Sequence, residues 1–166
     1  MPAIWLWTAL ARYGAFGRQE FAMERKDKIQ VYVKPNGELV VRAFTLQNFL
    51  FYDEDGMLIL YSEVIKDRAL ARQTGQHYGI QKNRMNDEIV KQSRDSSCPK
   101  MCPVELAIDI VQMAMQLGAN KPNDLLGVFQ SDDGDTVYLT GDQITKYYQY
   151  VKTSIEQAKY LKYLVK

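Results

Sequence analysis

Two β-rich runs separated by a Pro-Asn-Gly tripeptide constrain the fold of this chain more than any other feature. Residues 28–33 (KIQVYV) and 38–44 (ELVVRAF) flank Pro35-Asn36-Gly37. Asn-Gly accepts the positive φ of a tight turn, so the pattern predicts a β-hairpin. A second hairpin is predicted from residues 76–81 (QHYGIQ) and 87–92 (DEIVKQ), with the polar segment KNRMND at its tip. The front half of the chain therefore favours antiparallel strands.

The residues between the two hairpins extend this pattern. A third β-like run, Leu46 to Tyr52, stops at the turn sequence Asp53-Glu54-Asp55-Gly56. Residues 57–74 begin as a strand, and their periodicity leaves open whether a helical turn follows.

Helical signals lie on both sides of these strands. Ile4 to about Phe16 predicts a short helix that ends in a glycine-bracketed turn. Residues 103–117 form the clearest helix, with Pro103 at the first helical position and Gly118 just past the end. Residues 120–140 are interpreted as a connector with a turn at 132–135.

A capping-box pattern, Thr140-Gly-Asp-Gln143, predicts a final helix from about Gly141. One face of this helix carries the apolar and aromatic residues Ile144, Tyr147, Tyr148, Val151, Ile155 and Ala158. The predicted fold class is α+β, in a single domain spanning residues 1–166. It comprises an N-terminal helix, a small antiparallel sheet with hairpins, and two longer C-terminal helices.

Charge and residue types exclude several function classes. Lys plus Arg number 21 against 20 Asp plus Glu, a net charge of +1, so any basic surface must be local. The sequence holds no glycine-rich phosphate loop, no G-x-S-x-G and no H-E-x-x-H motif. Cys98, Cys102 and His77 are its only cysteines and histidine, a poor zinc set, so no metal or cofactor is expected.

The chain also lacks the features of a membrane or secreted protein. Its early apolar stretch, Ile4 to Leu10, is shorter than the roughly 20 residues that a membrane-spanning helix needs. It has no basic flank of the kind that precedes a signal peptide core. An intracellular protein with free thiols and no membrane contact is therefore expected.

Three short elements carry a resemblance when they are taken in order. They are Gly17-Arg18-Gln19-Glu20, Gln81-Lys82-Asn83 at a hairpin tip, and Cys102-Pro103-Val104 at a helix start. With the flanking runs 42–56, 79–94, 102–118 and 137–151, they resemble the front part of the catalytic domain of tyrosine recombinases, which are phage-integrase-like enzymes. The similarity is greatest to the eukaryotic retroelement and algal or oomycete recombinase-like branch. It covers most of residues 14–155 and is strongest over residues 44–118.

The resemblance implies roles for individual side chains in DNA strand exchange. In this family a tyrosine attacks a DNA phosphate, arginines bind the phosphate oxygens and a lysine protonates the leaving oxygen. Lys82 corresponds to that lysine, although a lysine at a turn can equally serve solubility. Arg18 corresponds to the first arginine, with Arg25 as the alternative, since Glu20 follows Arg18 by two residues where the family has three. The DNA phosphate contacts implied are Arg25, Arg42, Arg84 and Lys91.

The distal part of the family pattern is not found in this sequence. No H-x-x-R segment follows the last helix, and His77 precedes the hairpin lysine. The tyrosines of the last helix lie at helical spacing beside Ile and Val, which favours a place on the helix face: Tyr147, Tyr148, Tyr150, Tyr160 and Tyr163. The chain is therefore expected to bind double-stranded DNA without cleaving it alone, as a C-terminally incomplete relative of a mobile-element recombinase.

Two further expectations concern its partners. In the recombinase-like interpretation, the missing C-terminal helices would normally cover the sheet. Without them an apolar surface would be exposed, and the chain is expected to self-associate through it. The alternative function is that of a small α+β protein-interaction or regulatory module with no role on DNA. Near-zero net charge and the aromatic-rich last helix favour this alternative.

Overall fold

The computed structural model describes residues 2–14, 21–23, 31–66, 77–81 and 89–164. Within these ranges the fold is α+β, as the sequence predicts. The helices are α1 (Pro2–Gly14), α2 (Tyr61–Lys66), α3 (Pro103–Gln116) and α4 (Gly141–Leu164). The strands are β1 (Val31–Val33), β2 (Leu39–Val41), β3 (Phe49–Tyr52), β4 (Leu58–Ile59), β5 (His77–Gln81), β6 (Ile89–Ser93), β7 (Val128–Gln130) and β8 (Thr136–Tyr138).

These strands form three antiparallel sheets. The largest has the order β4-β3-β5-β6, and β1–β2 and β7–β8 are separate two-stranded hairpins. The two hairpins predicted from the sequence, β1–β2 and β5–β6, are confirmed. The first turn differs in detail, because the Gly37 amide donates to the Lys34 carbonyl and the Lys34 amide to the Glu38 carbonyl. With φ of 86° at Gly37, the loop has three residues and a left-handed glycine at its end.

The β7–β8 hairpin falls in the stretch interpreted as a connector, so that interpretation is incomplete. Each of its strands has only three residues, too few to show alternation. The predicted turn is present: the Ser131 amide donates to the Asp135 carbonyl at 2.8 Å, and Gly134 has φ of 89°. The periodicity of residues 57–74 leaves open whether a helical turn follows the predicted strand. In the structure these residues form β4 and then α2, up to Lys66.

The start of each C-terminal helix matches its sequence signal. Pro103 is the first residue of α3, and Gly118, with φ of 102°, follows its end. At α4 the Thr140 amide donates to Gln143 Oε1 at 2.9 Å, and the Gln143 amide donates to Thr140 Oγ1 at 3.4 Å. These reciprocal bonds satisfy amides that a helix start leaves without intrahelical partners.

The core is organised around the indole of Trp7, which is 0% exposed. Its ring stacks on Phe21, with centroids 5.1 Å apart, and lies parallel to Phe44 at 6.2 Å. Phe49 meets it edge-on at 5.8 Å. Trp7 and its three partner rings therefore form a cluster that joins α1 to the sheet. The buried face of α3 packs against the same cluster.

A short segment, residues 21–23, ties the start of the chain to its last third. The Met23 amide donates to the Leu139 carbonyl at 2.8 Å, and the Gly141 amide donates to the Met23 carbonyl at 3.1 Å. Gly127 lies directly against this segment, since a Cβ there would stand 2.0 Å from the Phe21 carbonyl oxygen. Only glycine fits this position, and the segment holds both the β7–β8 hairpin and the start of α4.

The predicted apolar face of α4 is only partly buried. Ile144 is 1% exposed, and Tyr147 and Val151 are half-buried. Tyr148 and Ile155 are exposed, so the shared helix face is buried at its start and open farther along. No helix within the described ranges is long and apolar enough to span a bilayer.

We predict that Trp7→Ala lowers the free energy of unfolding by about 3–5 kcal/mol, because it removes a fully buried indole and leaves a cavity among rings. Chemical denaturation monitored by circular dichroism measures the change. Trp5→Ala is the matched control: Trp5 lies on the same helix but is 44% exposed, so its removal should cost about 1 kcal/mol or less. Equal losses in the two variants would contradict the arrangement of the core.

Candidate nucleic-acid interface

The β5–β6 hairpin positions the segment that carries the predicted catalytic lysine. Its register pairs Gln81 with Ile89, so residues 82–88 connect the two strands. Lys82 directly follows the last paired residue of β5. Lys82 and Arg84 lie outside the described residues, as do Arg18 and Arg25.

The two faces of the four-stranded sheet differ sharply in their surroundings. Phe49 and Phe51 point to the core and are fully buried. The alternate positions form what we call the outer face: Leu50, Tyr52, Ile89, Lys91 and Ser93. Along β6, Ile89, Lys91 and Ser93 are exposed while the residues between them are half-buried. The outer face is therefore the side on which this sheet meets solvent.

Lys91 is held in place on the outer face by an aromatic ring. Its ammonium nitrogen lies 4.5 Å from the centroid of the Tyr52 ring, a cation–π contact. Lys91 pairs with Gly79 on β5, and Tyr52 lies beyond, on β3. Gly79 in turn pairs with Leu50, and Tyr52 lies two residues farther along β3, opposite His77, so the lysine side chain reaches diagonally across β5 to the ring. The positive charge is thereby fixed over the middle of the sheet.

The ring beneath Lys91 is itself shielded from water. Tyr52 is 9% exposed although it belongs to the outer face, and burial raises the pKa of its phenol above the ordinary value of 10.0. A neutral hydroxyl is therefore maintained at all physiological pH values. The ring supports the cation of Lys91.

The predicted phosphate contacts in the described ranges are not all on one surface. Arg42 is exposed at the end of β2, on the separate β1–β2 hairpin. Lys91 lies on β6 of the four-stranded sheet. The structure thus places these two residues on different sheets.

The loop from β6 to α3 contains a contact that sequence reasoning missed. Arg94 and Glu105 form an ion pair in which each side chain is 16% exposed. Glu105 lies in the first turn of α3, where a carboxylate also interacts favourably with the helix dipole. The pair fixes the end of the β5–β6 hairpin to the start of α3. Eleven residues separate the two partners, and no local pattern signals such a contact.

Asp95 completes the ordering of this loop. Its carboxylate accepts hydrogen bonds from the Ser97 hydroxyl and amide, which hold the pKa of Asp95 below its usual range. Its amide donates to Cys102 Sγ at 3.4 Å. Cys102 is buried and Cys98 exposed, both as free thiols. The loop is thus fixed at both ends, which holds β6 firmly against the helix behind it.

The other sequence candidates occupy peripheral positions. On α4, Tyr147 is half-buried while Tyr148 and Tyr150 are exposed, and the side chains of Tyr160 and Tyr163 are outside the description. No cluster of three or more His, Cys, Asp or Glu side chains suited to a metal ion occurs in the described ranges.

Comparisons with protein-family models, with curated proteins and with solved structures find no match to this chain. Its function is therefore inferred from its own residues.

We predict that Glu105→Gln lowers the free energy of unfolding by about 1.5–3 kcal/mol, because it removes the negative charge from a charge-assisted hydrogen bond that is largely shielded from water. Urea denaturation at neutral pH measures the loss. The control is Glu38→Gln in the Lys34–Glu38 pair, whose carboxylate is well exposed, where a change below about 1 kcal/mol is expected. A smaller loss at Glu105 than at Glu38 would show that the β6–α3 pair does not stabilise the fold.

The pKa of Tyr52 predicts a pH dependence at the alkaline end. In the unfolded chain the phenol ionises near pH 10, whereas burial keeps it neutral to higher pH in the folded protein. The contribution of the neutral Tyr52 phenol to the free energy of unfolding is fully present below the unfolded-state pKa. It is lost as pH rises through the folded-state pKa. Between about pH 9 and pH 11, wild type should therefore lose more stability than Tyr52→Phe. Parallel curves for the two proteins would contradict burial of this hydroxyl.

Proposed function

We propose that this chain binds duplex DNA through the β5–β6 hairpin and the outer face of its sheet, as the front part of a tyrosine-recombinase-type catalytic domain. The observation that carries the proposal is the fixed cation on the outer face, Lys91 over Tyr52, on the hairpin whose tip contains Lys82 and Arg84. Phosphate contacts made by such cations bind DNA without regard to base sequence.

The position of Lys91 supports this proposal. A cation that contacts a phosphate loses less conformational entropy on binding when it is already held in place. Lys91 contacts the ring of Tyr52, and the Arg94–Glu105 pair joins the residue after β6 to α3. The cation on β6 is therefore already positioned before DNA binds.

The order of elements supports the recombinase type of binding. An antiparallel sheet, a hairpin with a lysine at its tip, a short loop and a Pro-started helix follow one another in the chain, as the resemblance implies. In that chemistry Lys82 protonates the departing 5′ oxygen, while Arg18 or Arg25 stabilises charge on the phosphate. The sequence has no H-x-x-R segment, so the chain alone binds DNA and does not cleave it.

The decisive measurement is the salt dependence of DNA affinity. Fluorescence anisotropy with a labelled duplex should show binding at low salt that weakens steeply as NaCl is added, because phosphate contacts release counterions. The variant Lys82→Ala/Arg84→Ala should reduce the slope of log K against log salt by about 0.9 for each phosphate that it no longer neutralises. Lys91→Ala should reduce the slope by the amount expected for a single phosphate.

The matched control is Lys121→Ala/Lys146→Ala, which removes two exposed lysines far from the hairpin in sequence. Its slope should equal that of wild type. Absence of binding at low salt would overturn the proposal, and so would equal effects of the hairpin and control variants.

One observation favours the alternative function, a protein-interaction module. The α4 helix carries exposed Tyr148, Tyr150 and Ile155 beyond the point where it leaves the core. A surface of this kind is typical of contacts between proteins. A chain that binds a protein through α4 and shows no salt-dependent affinity for DNA would be of this class.

A further inference from the structure

A groove of about 990 Å³ opens at one end of the molecule. It lies where the start of α1, the end of α3, the β7–β8 hairpin and the start of α4 meet. Apolar side chains, including Met113, Leu117 and Phe129, line its floor, while Asp132 and Gln143 line it with polar atoms. The groove is therefore suited to the end of an amphipathic segment.

Helices α1 and α4 both run away from this groove. Ala3 and Gln143, near the start of each helix, line it. Five residues farther along both helices, Thr8 Oγ1 and the Tyr148 hydroxyl are 2.9 Å apart. The two helices therefore both lead from the groove to this hydrogen bond.

Beyond this contact the apolar side of α4 leaves the body of the protein. We call Tyr148, Val151 and Ile155 the α4 face, since they recur at intervals of three and four residues. Tyr148 is 47% and Ile155 50% exposed. Trp5, exposed and three residues before Thr8 on α1, extends the apolar surface toward the groove. Exposed apolar side chains thus lie on both helices that lead away from the groove.

The groove edge and the second half of α4 carry opposite charges. The β7–β8 turn at the groove holds Asp132, Asp133 and Asp135, all exposed, which we call the acidic tip. Among the described residues none of these three forms an ion pair. The second half of α4 contains Lys152, Lys159 and Lys162 against the single carboxylate Glu156. The sequence of α4 is therefore basic in its second half, while the groove has an acidic tip at its edge.

We propose that two copies of this chain associate through their α4 faces, with the helices antiparallel about a two-fold axis near Val151. In that register residue 159 of one copy lies level with residue 143 of the other, at the groove. The basic half of each α4 then meets the acidic tip of the opposite copy, and both contacts form at once because the interface is isologous. A parallel pairing would instead set the two basic halves side by side.

Helix length fits this arrangement. At 1.5 Å per residue, the 24 residues of α4 span about 36 Å. An antiparallel pair of this length covers the exposed Tyr148 and Ile155 of both copies. It also places the end of each helix at the other copy's groove, which a shorter helix would not reach.

The test is the oligomeric state of the whole chain, measured by sedimentation equilibrium over a range of concentrations. Wild type should show a monomer–dimer equilibrium. Ile155→Asp should raise the dissociation constant on the order of tenfold or more, since it introduces a charge into the centre of the contact. Because Ile155 is half exposed in the monomer, circular dichroism should show an unchanged fold.

The control is Gln149→Asp, which adds the same charge on the opposite side of α4 and should leave the dissociation constant unchanged. A wild-type chain that stays monomeric at the highest attainable concentration would overturn the proposal. Dimers that persist in Ile155→Asp, or that dissociate equally in Gln149→Asp, would overturn it as well.

A charge exchange tests the antiparallel register. Asp132→Lys/Asp133→Lys and Lys159→Asp/Lys162→Asp should each weaken the dimer at low salt, and the combination should restore it. Failure of the combined variant to associate more tightly than either pair alone would overturn the antiparallel arrangement.

Discussion

The packing of Trp7 is the interaction on which the rest of this structure depends. A single indole contacts rings from the segment after α1, from the residues before β3 and from β3 itself. Such large rings bury more apolar surface than any other side chain, and here they also fix the relative positions of the elements. The sheet that carries Lys91 is held against α1 and α3 by this cluster. The aromatic packing on the opposite face consequently sets the position of the outer face.

Short sequence patterns predict those elements whose conformation is determined by neighbouring residues in the chain. The β5–β6 hairpin, the Pro103 start of α3 and the Thr140–Gln143 cap of α4 each depend on a few adjacent residues, and all three occur as expected. The β7–β8 hairpin escapes prediction, since three-residue strands show no periodicity. The α4 face is only partly predictable. Helical spacing identifies which residues share a side, but burial depends on how far the neighbouring helix extends.

The candidate site illustrates the same division between local and tertiary information. Lys91 is identifiable from the sequence as a cation on the hairpin, yet its contact with Tyr52 depends on the register of three strands. The Arg94–Glu105 pair likewise requires the loop to return to α3. Arg42 shows the opposite case: the resemblance implies a DNA contact like that of Lys91, whereas the structure places Arg42 at the end of a separate hairpin. Residue type predicts which chemistry is available, whereas topology decides which groups act together.

The backbone bonds of Met23 with Leu139 and Gly141 have a consequence for how the protein is made. They join residues from near opposite ends of the chain, and Gly127 must also be present for segment 21–23 to find its place. During translation the early segment therefore has to wait until the β7–β8 hairpin and the first turn of α4 have left the ribosome. Contacts between residues that are far apart in the sequence slow folding. Until these contacts form, Phe21 of the nascent chain remains exposed to solvent. The burial of Phe21 is therefore one of the last steps by which the core closes.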